Sequence, residues 1–413
     1  MVETRTKDLI PVANVEVTIS SQDETGKLTT IATLFTNSSG QTPIIVLDAP
    51  ILSESEDPNF TGIPYATYHI STKCNGYIPV IIEGSQIFSE VTSIQPITLM
   101  PIEDMTVDPF SFDRQLNEVI SIGQSTLIGD YAPKIPESET KDVSATGFVV
   151  LSEVVVPEYI IVYAGSPNST GAPTYTVRFR DYIKNVASSE IYPTWPRETI
   201  KANVIAIISF TLNRVYTEWY RNQGKTYTIT NSTAVDQAFI YGRNIFDTIS
   251  SVVDECFDIY IKRPGVIQPL LAQYCDGQKS TCPGWMTQWG SQQLGEDGLK
   301  YDQILRYFYG NTIEILSAKV VSGIPESYPG TALREGSQGT NVRIIQEQLN
   351  RISNNYPLIP KVPTTGIFDP QTTEAVKVFQ RVFHLTPDGI VGKSTWYKLS
   401  YIYVAVTKIA ELT

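Results

Sequence analysis

The chain has 413 residues, of which 42% are hydrophobic and 10% aromatic, and it carries a formal net charge of −12. That length allows two to four domains at roughly 100–200 residues each. An acidic chain with no long Lys/Arg run argues against duplex nucleic acid or an anionic membrane as partner. No run reaches about 18 consecutive apolar residues, so no membrane span is expected. The start, "MVETRTKDLIPVANVEV", lacks a basic segment followed by an apolar one, so no secretion signal is expected in this chain.

Residues 1–103 read as β. "VANVEVTIS", "TTIATLFT", "YATYHIST" and "YIPVIIEG" alternate apolar and polar positions, with turns at "NSSGQ" and "CNGY". Short strands between turn signals suggest a small sandwich. Residues 104–146 lose that periodicity and become rich in Pro, Ser, Glu and Lys, which predicts a linker exposed around 132–146 and open to proteases.

Residues 147–325 read as an α+β domain. Strands at "GFVVLSEVVV", "YIIVYAG" and "TYTVRF" precede a helix from about Trp195 to Tyr220, with Thr194 as N-cap and Pro196 in its first turn. Ile200, Val204, Ile207, Ile208, Leu212 and Val215 mark one buried face of it. A strand ("YTIT"), a helix around "IFDTISSVVDECFDIYI" and a loop-rich stretch over 273–298 follow. Residues 326–334 form a second linker. Residues 335–413 contain three helices, the second opening at Asp369–Pro370 as N-cap and first-turn proline.

The four cysteines, Cys74, Cys256, Cys275 and Cys282, do not make a disulfide scaffold. Cys275 and Cys282 are spaced for a small loop disulfide, with two free thiols as the alternative. His69 and His384 lie far apart in sequence, so a histidine-rich metal site or a histidine-based nucleophile has no imidazole in the middle block. No metal and no cofactor are expected. The chemistry narrows to carboxylates and hydroxyls, and "SSEIYPTWPRETIKAN" supplies two of the former, Glu190 and Glu198.

The C-terminal block, "REGSQGTNVRIIQEQLNRI…TTGIFDPQTTEAVKVFQRVFHLTPDGIVGKSTWYKL", closely resembles the peptidoglycan-binding domain of bacterial wall hydrolases. The matching positions are Gly336, Gly339, Val342, Gln346 and Leu349; Gly366, Phe368, Thr372, Ala375, Val376, Phe379 and Gln380; and Asp388, Gly389, Ile390, Gly392, Thr395, Trp396 and Leu399.

In the middle block, "YIKNVASSEIYPTWPRETIKANV" and "VDQAFIYGR" resemble the stage II sporulation protein D family, which implies lytic transglycosylase action on peptidoglycan glycan strands. The family's Ser/Gly-rich turn is replaced here by Tyr274-Cys275-Asp276-Gly277, and without a histidine in the block the zinc site of some family members does not carry over. The whole arrangement resembles the spore cortex-lytic enzymes of anaerobic spore formers. That resemblance implies a zymogen placed in the spore cortex region, acting on cortex glycan strands at germination. It further implies activation by a subtilisin-like serine protease that removes the N-terminal region.

A lytic transglycosylase needs one carboxyl group. It protonates the glycosidic oxygen, then takes the proton of the muramic C6 hydroxyl as that oxygen closes a 1,6-anhydro ring. Glu190 aligns with the family's catalytic glutamate and has Ile191, Tyr192, Pro193 and Trp195 beside it as an apolar wall in a loop ahead of the helix. Glu198, in the first helical turn, is the second choice, its ordinary role being to offset the helix dipole. Asp236, Gln237, Tyr241, Tyr274 and Asp276 are candidates for bonding sugar hydroxyls. Tyr192, Trp195, Trp285 and Trp289 are candidate sugar-facing aromatics. The alternatives are a hydrolytic muramidase, with Asp236 or Asp276 as second carboxylate, and a silent wall-binding scaffold.

Overall fold

The computed structural model describes residues 1–7, 9–102, 117–140, 154–320, 329 and 331–407. Residues 104–116 and 141–146 of the expected first linker lie outside the described residues, as do 326–328 and 330 of the second.

The N-terminal segment is β, as its alternation predicts. It contributes β1 (Val2–Arg5), β2 (Glu16–Gln22), β3 (Leu28–Phe35), the short helix α1 (Leu52–Glu56), β4 (Ala66–Lys73), β5 (Val80–Ile87) and β6 (Ser93–Thr98). β7 (Glu118–Ser121) follows, and the sheet order is β3-β2-β4-β5-β7. Val17, Ile19, Ile70, Val80 and Ile82 point from this sheet onto Val2, Ile97 and Leu99 of a second one. Each such side chain, fully buried, is worth about 1.5–3 kcal/mol.

Two features depart from the sequence reading. β7 belongs to the expected linker, yet it pairs in parallel with β5. The second sheet runs β1-β6-β12, and its last strand, Ile245–Phe246, comes from the middle block. The two segments are therefore hydrogen-bonded into one sheet. Phe88 reinforces the join, packing on Tyr65, Tyr192 and Phe246 at centroid distances of 5.2, 5.3 and 5.3 Å.

The middle block runs β8 (Val155–Val156), β9 (Tyr159–Tyr163), β10 (Thr174–Arg178), α2 (Phe179–Glu190), α3 (Arg197–Tyr216), β11 (Ile229–Thr230), β12, α4 (Asp247–Cys256) and β13 (Ile259–Lys262). It continues with β14 (Tyr274–Cys275), β15 (Met286–Thr287), α5 (Gln288–Glu296), α6 (Tyr301–Tyr309), β16 (Glu314–Ser317) and β17 (Lys319–Val320). α2 is absent from the sequence reading, although Phe179, Tyr182, Ile183, Val186 and Ala187 hold helical spacing and are all buried. α3 begins at Arg197, later than expected. Its N-cap is Pro196, which offers no side-chain bond. Thr194 caps nothing and instead bonds Ser55 Oγ at 2.9 Å.

Beyond Arg197, Glu198 and Lys201 at its start, α3 has no solvent face. Ala202, Ala206, Phe210 and Thr211 are buried along with the predicted apolar stripe, because α2, α4, α5, α6 and β13 all pack around it. A helix enclosed along most of its length loses its amphipathic signature. Its polar side chains turn inward onto partners: Asn203 Nδ2 donates to Ser291 Oγ at 2.8 Å and Asn213 Nδ2 to the Pro269 carbonyl at 2.7 Å.

The C-terminal segment is helical, with α7 (Thr340–Ser353), α8 (Pro370–Val382) and α9 (Lys393–Thr407). The Asp369 side chain accepts from the Thr372 amide at 2.7 Å with proline at the first helical position, as the sequence predicts. Two motif glutamines latch the loops. Gln346 accepts from the Gly366 amide at 2.9 Å and Gln380 from the Gly389 amide at 2.8 Å. Both glycines have left-handed φ, of 75° and 76°, where a side chain would be strained. Leu333, assigned to the second linker, already belongs to this unit through paired backbone bonds with Val391 at 3.1 and 2.8 Å.

This segment docks on the others through polar contacts. Lys398 meets Asp254 at 2.8 Å, Lys393 meets Asp258 at 2.9 Å and His384 meets Glu3 at 2.7 Å.

Candidate active site

Glu190 is the last residue of α2, not a loop residue, and is 3% exposed. Its Oε1 accepts from the Ala238 amide at 2.8 Å, and its Oε2 accepts a short bond from the Tyr274 hydroxyl. Burial raises its pKa above the ordinary glutamate value. Lys134, the Tyr274 bond and the Ala238 amide offset only part of that. The carboxyl therefore holds its proton to higher pH than a free glutamate, while having two donors ready for the anion left when the proton departs.

The carboxyl faces a cleft of about 70 Å³. Residues 131–134, from the expected linker, form one wall. Tyr274, Asp276 and the Cys275–Cys282 rim form another. Cys275 and Cys282 are disulfide-bonded, one of the two outcomes left open by the sequence.

Residues 122–140 run across this cleft as a strap, bonded to the middle block on its inner side and exposed at Ala132, Pro133, Ile135, Pro136 and Ser138, where the sequence predicts exposure. The Thr126 amide bonds the Ser189 carbonyl at 3.0 Å, the Ile135 amide bonds Ala234 at 2.6 Å, and the Leu271 amide bonds Glu139 at 3.0 Å. Glu137 pairs with Arg214 at 2.6 Å and Glu139 with Arg263 at 2.8 Å.

Lys134 occupies the cleft itself. Its ammonium donates to the Asp236 carbonyl at 2.5 Å and lies 4.4 and 4.6 Å from the ring centroids of Phe210 and Tyr274. Burial lowers its pKa to about 8, against the pull of Glu190 and Asp236. Sequence reasoning missed Lys134 because a lysine in a polar, proline-rich stretch carries no mark of burial.

Of the other sequence candidates, Asp276 and Tyr274 do line the cleft. Both oxygens of Asp276 are occupied by the amides of Gln278, Lys279 and Ser280, at 3.3, 2.5 and 3.0 Å. Asp236 and Gln237 are fully buried and act from behind. Asp236 accepts from Arg214 Nε at 2.8 Å, the Tyr220 hydroxyl at 2.5 Å and Thr230 Oγ1 at 2.7 Å, so neither of its oxygens is left for a sugar. Gln237 accepts from Tyr182 at 3.0 Å and Thr211 at 2.8 Å, and donates to the Tyr274 hydroxyl at 3.3 Å. It positions the group that touches Glu190.

Tyr192, Trp195 and Trp289, offered by the sequence as sugar-facing aromatics, instead pack on one another in the core at 5.7, 5.8 and 4.9 Å between centroids. The Trp195 indole donates to the Ser55 carbonyl at 3.0 Å. Trp285 is half-buried in the turn that follows the disulfide loop, its amide bonding the Cys282 carbonyl at 3.1 Å. Tyr241 is exposed but lines a different concavity. Glu198 stands outside the cleft's lining and accepts from the Tyr301 amide at 2.9 Å, joining α3 to α6.

Comparison with known proteins finds two segments that match described families. Residues 169–255, which include Glu190 and Asp236, match the family described as stage II sporulation protein. Residues 338–399, the three-helix segment, match a peptidoglycan binding domain family. The N-acetylmuramoyl-L-alanine amidase CwlL of Bacillus licheniformis is 28% identical over 225 residues, covering 53% of this chain and 58% of that protein. An uncharacterized protein in the bpoA1 3' region of Kitasatospora aureofaciens is 56% identical over 36 residues, 9% of this chain and 30% of that one. The chain thus spans less than two thirds of either relative. No solved structure matches. A segment that matches the sporulation family thus carries Glu190, and a segment that matches the peptidoglycan-binding family follows it in the chain.

Proposed function

We propose that the chain is the inactive precursor of a peptidoglycan lytic transglycosylase acting on spore cortex glycan, with Glu190 as the single acid/base. The observation that carries this reading is the isolation of Glu190. Among the described carboxylates that line the cleft, Glu190 alone has neither an ion pair nor a cage of amides from its own loop; it meets one amide and one hydroxyl. Asp236 is spent on Arg214, Tyr220 and Thr230, and Asp276 on its own loop, so neither is placed to activate a water as a hydrolase would require.

In this mechanism Glu190, kept protonated by burial, gives its proton to the glycosidic oxygen. The carboxylate that results is held by the Tyr274 hydroxyl and the Ala238 amide. It then takes the proton of the muramic C6 hydroxyl while that oxygen bonds to C1. Atoms balance without water, and the sugar leaves as a 1,6-anhydro end.

The strap supports storage as a precursor. It fills the cleft with Lys134 and holds the carboxyl out of solvent. Proteolysis within 104–146 by a subtilisin-like serine protease would free one end of it and open the cleft to a glycan strand. The domain limits 1–103, 104–146, 147–325 and 335–413 belong to the same proposal.

The test is mass spectrometry of purified cortex glycan after incubation with the chain, intact and cut within 104–146. Anhydro-muramic ends, formed much faster by the cut protein, support the reading. Reducing muramic ends would make it a hydrolase. Released stem peptides would make it an amidase, as the Bacillus relative is named. Intact glycan would leave it a binding protein.

A further inference from the structure

A second concavity, of about 430 Å³, opens between the N-terminal strands and the middle block. That volume lies within the range of about 300–1,000 Å³ usual for ligand sites. No residue lines both it and the Glu190 cleft. α2 links the two, with Asp181 and Asn185 facing this groove and Glu190 at the helix's far end.

Its middle-block wall carries Tyr175 and Tyr241, stacked at 4.5 Å and 13°, with Tyr241 41% exposed. Tyr159 is 36% exposed and has the Arg178 guanidinium 5.2 Å from its centroid. The opposite wall brings Arg5 and Lys7 from the N-terminal segment. Arg243 forms the buried floor and is committed to Gln86 and the Gly123 carbonyl, both at 2.7 Å. The lining therefore sets four cations against one acid, Asp181, in a chain whose net charge is −12. Two further acids stand at the margin. Glu158 pairs with Arg178 at 3.2 Å, and Glu118 accepts from the Tyr241 hydroxyl at 3.2 Å.

Flat tyrosine faces open to solvent suit the C–H faces of pyranose rings, which shed little water on stacking. Cations concentrated in a walled groove attract anions, and a guanidinium matches a carboxylate in geometry. We propose that this groove is a second, non-catalytic site for anionic glycan, holding a peptide-bearing disaccharide with a sugar face on Tyr241 and carboxylates toward Lys7 and Arg5. The proposal rests on the reading that peptidoglycan is the substrate. Because Arg5 and Lys7 belong to the N-terminal segment, the site is complete only while that segment stays in place. The uncut chain would then grip its strand at this groove as well as through its C-terminal helices, and removal of the N-terminal segment would release that grip.

The test uses the full chain carrying Glu190→Gln, which blocks turnover. It is titrated calorimetrically with a purified disaccharide–tetrapeptide and, separately, with neutral chitotetraose. Lys7→Glu and Tyr241→Ala change exposed positions, so the melting temperature should stay within about 2 °C. The C-terminal segment matches a peptidoglycan binding family and is expected to bind wall fragments too, so the readout is the difference between parent and groove variant. The double variant should lose a muropeptide binding event or weaken it at least ~10-fold, and chitotetraose should bind the parent at least ~10-fold more weakly than the muropeptide. Unchanged muropeptide binding in the double variant overturns the site, and equal affinity for the neutral glycan overturns its anionic assignment. Turnover by Glu190→Gln, scored in a separate glycan digest, would sink the catalytic reading and leave the groove result standing.

Discussion

Glu190 and Asp254 are both buried carboxylates, on α2 and α4, and both helices pack against α3. Their surroundings are opposite. Asp254 meets Lys184 at 2.8 Å, Lys398 at 2.8 Å and Arg180 at 3.6 Å. Burial pushes its pKa up, but the three cations together outweigh that and hold it well below the ordinary aspartate range. Glu190 has one hydroxyl, one amide and the ammonium of Lys134, and for it burial wins. The difference separates two uses of a buried acid. Asp254 is fixed as an anion and ties the middle block to the C-terminal helices. Glu190 is shifted toward its protonated form, which a proton-donating group requires.

Glu190→Gln is expected to have the largest effect, a loss of glycan cleavage of about 10²- to 10⁴-fold. Its melting temperature should stay close to wild type, because an amide at this site carries no charge to desolvate. Wild-type-like turnover would break the comparison at its catalytic end. At the structural end, Asp254→Asn leaves Arg180, Lys184 and Lys398 without their counter-charge. It should cost about 3–5 kcal/mol in urea unfolding. A loss under 1 kcal/mol would show that the cluster does not anchor α9.

Tyr274→Phe sharpens the account of Glu190 itself. It removes a bond that favours the carboxylate, so the Glu190 pKa should rise further and the basic limb of the pH–rate profile should move to higher pH. The rate should fall by about tenfold, the size of one hydrogen bond to a charged group. A profile that moved down would reverse the assigned role of Tyr274. Glu198→Gln should do least, costing below about 1 kcal/mol in stability and leaving the cleavage rate unchanged. A large rate loss there would return Glu198 to the active site.

Much of the fold is written locally. The strands at 16–22, 28–35, 66–73 and 80–87 follow the alternation in their residues, and Asp369–Pro370 marks the start of α8. α2 was also legible in principle. Phe179, Tyr182, Ile183, Val186 and Ala187 carry its helical period, but the β-favouring "TYTVRF" overlaps its first residue and masks where the helix begins.

The candidate site divides the same way. Glu190 stands out by its motif and does line a cleft. Tyr192, Trp195 and Trp289 do not declare from sequence whether they meet a sugar or each other, since an aromatic ring suits both. The strap and Lys134 are invisible to periodicity. They are held by ion pairs and backbone bonds to residues about 60 to 140 positions away, such as Glu137–Arg214 and Leu271–Glu139. The pairing of β12 with β6 is likewise a contact between segments about 150 residues apart, with no local trace.

The most direct measurement is a ¹³C titration of side-chain carboxyls in the full chain, with Glu190→Gln and Asp254→Asn used to assign the two signals. The account predicts that Glu190 titrates above the ordinary glutamate value of 4.5 while Asp254 titrates well below the ordinary aspartate value of 3.8. By linkage, Asp254 then supports the fold above its ordinary value, and that support fades as pH falls through its lowered pKa. Glu190 contributes most below its ordinary value, and its contribution fades as pH rises through its raised pKa. A Glu190 signal at or below 4.5 would contradict the claim that this carboxyl is kept protonated for acid chemistry.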